Sequence, residues 1–158
     1  MKFTPINIAL AKERVSYDPA TGRFHWLVSN RGHRRAGDLA GSVGRHGYKF
    51  VKIDQVKYPA HRLAWALFYD CEPQAEIDHI DGDPGNNQIL NLREATRKQN
   101  CQNLAASGVR FEADRGKWLA RATKDGKAVN LGRFDTEAEA LAARRAAARL
   151  FYGEFARK

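Results

Sequence analysis

The chain has 158 residues, 43% of them hydrophobic, with a formal charge of +9. That suits one medium domain or two small ones with modest cores. No apolar run approaches a membrane span, the first residues lack the shape of a signal peptide, and two cysteines form no disulfide framework. The expectation is a soluble protein of a reducing compartment, the cytoplasm, with no membrane partner.

The charge is uneven. Residues 1–60 carry 11 Lys and Arg against 4 Asp and Glu, residues 61–104 carry 4 against 7, and residues 105–158 carry 12 against 7. Basic flanks around an acidic centre suit a protein whose ends grip phosphates while its middle holds a cation. A merely solvated basic surface gives the same count.

From the N-terminus, INIALAKERV predicts a short helix. YDPATG then reads as a turn, RFHWLV as a strand and NRGHRRAGD as a basic loop. GYKFVKI and VKYPA read as paired strands joined around Asp54 and Gln55. Lys49 and Lys52, with Arg31, Arg34, Arg35 and Arg45, are candidates to line a DNA-facing surface. HRLAWALFY predicts a short helix carrying Leu63, Trp65, Leu67 and Phe68 into a core, and Arg62 at its start suits a phosphate contact or a structural ion pair equally well.

The richest stretch is Glu76 to Asn100, EIDHIDGDPGNNQILNLREATRKQN. EIDHI and ILNLREA read as an antiparallel pair around a polar loop, and Thr96 with Gln99 matches a capping box that starts a helix. Asp78 offers a hard carboxylate oxygen, His79 a ring that accepts a proton near neutral pH, and Asn91 and Asn100 neutral amide oxygens. Those are the parts of a one-metal phosphodiesterase. On an ideal strand Asp78 and His79 point to opposite faces, so a shared site requires the strand to twist or end there. An EF-hand reading of the loop fails, because the twelfth position from Asp81 is Leu92 rather than Glu. A zinc site from Cys71, Cys101, His61 and His79 lacks close ligand spacing, and no zinc is expected.

Asp78-His79, Asn91 and Asn100, with the words HRLAW, DHIDGD and NLREAT over residues 58 to 104, resemble the HNH endonuclease motif, a ββα-metal fold. The likeness is to its phage and homing branch, in which the last His is Asn. The resemblance implies that His79 is the general base, that Asp78 and Asn100 hold one divalent ion, and that Asn91 orients the base and ties down the loop, with Asn87 a rival for part of that loop role. One carboxylate and one amide leave most positions of a small cation to water and phosphate, which suits Mg²⁺, with Mn²⁺ acceptable. Arg93 is counted among the DNA-contacting residues.

After Leu104 the run AASG marks a boundary. GVRFEADRGKWLARATKDGKAVNLGRFDT predicts three strands with turns at ADRG and KDGK; Thr136 and Glu139 then form a capping box for an Ala-rich helix that Gly153 stops. Trp118, Ala120 and Ala122 share one strand face and suit the helix, while Leu119, Arg121 and Thr123 share the other. GVR, KWLARA, LGRFDTEAEA and the closing YGEFA resemble the APETALA-type (ethylene-response-factor-like) DNA-binding domain over residues 108–157. By that resemblance Arg110, Arg121, Thr123 and Asn130 face DNA, although Ala128 and Asn130 stand where plant members carry further Arg and Trp.

The expected architecture is α+β: a basic β-rich region over 1–60, an HNH unit over 61–104, and a small sheet-plus-helix domain over 105–158. The expected activity is metal-dependent hydrolysis of double-stranded DNA by a monomer or homodimer. The alternative is a non-catalytic, sequence-specific DNA-binding regulator.

Overall fold

The computed structural model describes residues 4–30, 32, 34–97, 99–100, 108–153 and 156. They form a mixed α/β structure of several small antiparallel sheets with three helices, divided into two compact units, Met1–Thr96 and Arg97–Lys158.

In the first unit, helix α1 (Ile8–Arg14) starts where the Asn7 side chain accepts a hydrogen bond from Leu10 N–H and ends with Lys12 and Arg14 near its C-terminus. Strands β1 (Val15–Asp18) and β2 (Arg23–Trp26) form a hairpin. Its turn is built by the Asp18 carboxylate, which accepts from Ala20 N–H at 3.0 Å and from the Thr21 hydroxyl at 2.6 Å, and by Gly22 at φ +68°. β3 (Leu39–Ala40) completes that sheet. A second sheet has the order β4 (Ser42–Val43), β5 (Lys49–Ile53), β6 (Val56–Pro59), and Asp54 and Gln55 both take positive φ in the tight β5–β6 turn.

Helix α2 (Ala60–Tyr69) follows directly and buries Leu63, Ala64 and Ala66 completely. Phe68, expected in the core, is 48% exposed. Five positions after Leu63 lies about 140° around a helix, off the buried stripe. The third sheet pairs β7 (Glu76–His79) with β8 (Leu92–Ala95), the antiparallel pair expected around the polar loop.

One core serves all of this. Ile6, Val15, Phe24, Val51, Leu63, Ile77 and Leu92 belong to a single buried cluster. Glu72 adds a polar tie, accepting from Ile6 N–H and pairing with Arg62. The basic β region and the Asp-His segment share this interior, and the two compact units meet in sequence after Thr96.

In the second unit, β9 (Val109–Glu112), β10 (Lys117–Lys124) and β11 (Lys127–Phe134) form an antiparallel sheet with β10 central. Helix α3 (Glu137–Tyr152) packs on all three strands. Its capping box is present, with Glu139 N–H donating to Thr136 Oγ1 and Thr136 N–H to Glu139. Ala120, Ala122, Ala140, Ala147 and Ala148 are buried, small side chains that let helix and sheet approach closely. A bulge after Ala120 leaves Leu131 unpaired, with Gly132 at φ +123°. No helix among the described residues is long and apolar enough to cross a membrane.

Candidate functional site

Asp78 and His79 are both 5% exposed at the end of β7 and make different contacts, as the alternation of a strand requires. Asp78 lies opposite Arg93 in the ladder. The Arg93 guanidinium donates to Asp78 Oδ2 from Nε at 2.9 Å and from Nη2 at 2.8 Å, a charge-assisted pair well shielded from water. The residue counted among the DNA contacts is thus engaged by the expected metal ligand, and its side chain is only 15% exposed.

His79 meets the loop. Its Nε2 lies 3.1 Å from Oδ1 of Asn87, which is 1% exposed. Asn87 Nδ2 is turned towards the Gly85 carbonyl at 3.5 Å, so Oδ1 faces the ring. A carbonyl oxygen there requires a proton on Nε2, which puts the imidazole lone pair on Nδ1. The contact with the ring, expected of Asn91, is made by Asn87. Asn91 instead fastens the loop: its Oδ1 accepts from Asp81 N–H at 3.1 Å, and its Nδ2 donates to Asp81 Oδ1 and to the Asn86 carbonyl, both at 2.9 Å. Asp81 also accepts from Asp83 N–H and from the Asn86 amide. Burial would raise the Asp81 carboxyl, but those hydrogen bonds outweigh it and hold the group below the usual carboxylate range.

Two rings that sequence reasoning did not assign to the site pack beside His79. His61, in the first turn of α2, sits edge-on with centroids 5.2 Å apart, and Tyr48 lies 5.8 Å from His61 and 6.1 Å from His79. The His61 Nδ1 is buried and, among the described residues, has no hydrogen-bond partner. Burial, then the charges of His79 and Arg62, push the His61 pKa down to about 3, so the ring is neutral at physiological pH. The segment carrying Tyr48 also touches the loop: a Cβ on Gly47 would meet Pro84 at 3.2 Å, and one on Gly85 would meet Lys49 at 3.8 Å. Lys49 therefore lies beside the loop. Lys52 is exposed and lies opposite Lys57 across the β5–β6 ladder.

Other expected residues have plainer surroundings. Arg62 is buried, with its side chain paired to Glu72 at 3.4 Å and donating to the Ala75 carbonyl at 3.4 Å. Of its two readings the geometry fits the structural ion pair, because a buried guanidinium cannot reach a phosphate. Arg34 lies over the Trp26 ring at 4.0 Å, whereas Arg31 falls outside the described residues. Asn100 is in helical conformation and half-buried at the start of the second unit.

On the second unit, Arg121 and Thr123 are exposed, and among the described residues neither side chain has a hydrogen-bond partner. Arg110 pairs with Glu112 at 3.2 Å, and Glu112 also accepts from Arg133 at 2.7 Å; these contacts, that with Arg133 first, lower the Glu112 pKa. Asn130 Oδ1 accepts from Gly132 N–H at 3.1 Å, so part of its hydrogen-bonding capacity serves the bulge. Leu119, expected to share an open face with Arg121, is fully buried between its ladder neighbours Arg110 and Arg133.

Among the described residues no group of three or more His, Cys, Asp or Glu is placed to hold a metal ion. Near His79 the Asp78 carboxylate is paired with Arg93, and the Asp81 carboxylate accepts from the Asn86 and Asn91 amides.

Residues 58–102 match the family model described as HNH endonuclease, and the chain carries that domain there. The chain is 32% identical over 120 residues to an uncharacterized HNH endonuclease of Acanthamoeba polyphaga mimivirus, a match covering 72% of this chain and 63% of the relative. The match thus spans under two thirds of the relative's length. No solved structure matches the chain.

Proposed function

We propose that the chain is a divalent-metal-dependent DNA endonuclease that hydrolyses phosphodiester bonds with His79 as general base. The observation that carries this reading is the buried Asn87–His79 contact inside the matched segment. It fixes one ring nitrogen as donor and gives the other the lone pair that a base needs. Neutral His61 and Tyr48 wall the ring, and Asn91 keeps the loop in the shape that presents Asn87.

A carboxylate oxygen of Asp78 and the amide oxygen of Asn100 would hold Mg²⁺ or Mn²⁺. The ion, when bound, would stabilise charge on the phosphate and the departing oxygen. Lys49 beside the loop and Lys52 opposite Lys57 are suited to phosphates, since an anion relieves like charges facing each other across a ladder. Arg121 and Thr123 would contact DNA through a sheet resembling that of the APETALA-type domain, with Arg110 and Asn130 in supporting places. One metal site acts on one strand at a time, so a monomer should nick and a double-strand break should need two copies. A homing or phage role rests on the resemblance alone.

One observation favours a second reading. The Arg93–Asp78 pair already neutralises the carboxylate, as expected of a binding protein that takes no metal. Incubation with supercoiled plasmid in Mg²⁺ or Mn²⁺, against EDTA, separates the two. Metal-dependent nicking that disappears in His79→Ala while duplex binding persists supports the enzyme; binding without nicking supports the regulator.

A further inference from the structure

The N-terminal hairpin reaches the main chain of the very residue that holds the base. The Tyr17 hydroxyl donates to the Asn87 carbonyl at 2.7 Å, across 70 positions of sequence. Burial, then Asp18, raises the Tyr17 pKa, so the hydroxyl keeps its proton at any physiological pH. At the first residue of the hairpin turn, the Pro19 carbonyl accepts from Ile89 N–H at 3.1 Å. Gly22 lies so close that a Cβ would sit 2.5 Å from both Asn87 C and Gln88 N, backbone atoms that cannot swing aside. Its φ of +68° independently favours glycine.

These three contacts converge on Asn87 to Ile89 and on nothing else in the loop. The rest of the loop is tied by its own side chains, Asp81, Asp83 and Asn91. We infer that Tyr17 and Gly22 are positioning residues for the base: they seat the Asn87 main chain so that its side-chain oxygen holds His79 in the Nε2–H form. This rests on the nuclease reading for its consequence in catalysis, but the effect on the ring is a property of the folded chain alone. The hairpin is thereby part of the site's machinery, although it lies outside the matched segment 58–102.

The test uses the full chain labelled with ¹⁵N. Long-range ¹H–¹⁵N correlation spectra report which ring nitrogen of each of the 5 histidines carries the proton, and His79 is identified by the signals lost in His79→Gln. Wild type should show His79 as a single tautomer. Tyr17→Phe, which removes one oxygen from a half-buried ring, should show a mixture, and so should Gly22→Ala if it folds. In plasmid nicking, Tyr17→Phe should lower kcat roughly tenfold with KM unchanged, because the loss falls on geometry at the reacting centre rather than on DNA affinity. A Tyr17→Phe protein that melts earlier but keeps the wild-type His79 spectrum overturns the inference, since that is what a merely structural tyrosine gives. If wild type does not nick while the His79 spectrum still responds to Tyr17→Phe, the positioning stands and the nuclease reading falls.

Discussion

Replacing Arg93 by Gln removes the guanidinium from Asp78 while keeping most of the side-chain volume. The carboxylate is 5% exposed and loses donors at 2.9 and 2.8 Å. Breaking one side of a shielded ion pair leaves a charge without compensation, so the variant should be about 2 to 4 kcal/mol less stable. Urea unfolding read by tryptophan fluorescence measures this, in a Trp118→Phe background so that Trp26 and Trp65 report on the first unit. If Asp78 is also a metal ligand, Mg²⁺ should restore part of the loss. With a dissociation constant near ~1 mM, ~10 mM Mg²⁺ should return about 1.4 kcal/mol. The gain should exceed that of wild type, where Arg93 already supplies a positive charge. A loss below about 0.5 kcal/mol would mean the pair is solvated, against the burial seen here. Equal Mg²⁺ gains in both proteins would remove Asp78 from metal binding.

Asn87→Ala should lower the nicking rate about tenfold to a hundredfold, by analogy with groups that orient a ligating imidazole, while plasmid binding by gel shift holds. The unfolding free energy of the first unit should rise by up to about 1.4 kcal/mol per pH unit between pH 4 and 6. His61 is held neutral down to about pH 3, whereas the unfolded chain takes up its proton below about 6.5, so stability falls as acid is added. His61→Phe should flatten that slope in urea titrations run at several pH values, and an unchanged slope would assign it to other groups. Arg121→Ala should weaken duplex binding by about 1 to 3 kcal/mol if the side chain reads a base, as fluorescence anisotropy can measure. Arg62→Ala should instead cost stability with no change in affinity per folded molecule, because its guanidinium is turned inward on Glu72.

What could be read from the sequence was local. The β7–β8 pair, the turn at Asp54 and Gln55, and the capping box at Thr136 and Glu139 depend on alternation, turn chemistry and spacings of a few residues. Phe68 was misplaced because a ten-residue helix gives too short a pattern to locate the edge of its buried stripe. The neighbours of His79 were harder. Tyr48, His61 and Tyr17 approach from other elements, and no local rule links a tyrosine to a carbonyl 70 positions away. Choosing between Asn87 and Asn91 needed the path of the loop, which decides which amide faces the ring. Pairing Arg93 with Asp78 needed the register of the two strands, and a one-residue slip would have separated them.

The common interior running from Ile6 to Leu92 bears on how this protein can be dissected. A fragment trimmed to the matched stretch, 58–102, would keep Asp78, His79, Asn87 and Asn91 yet discard Val15, Phe24, Val51 and Ile53. Such a peptide would have the motif's letters without an inside to hold them, and its inactivity would say nothing about the chemistry. The smallest piece worth expressing begins ahead of Ile6.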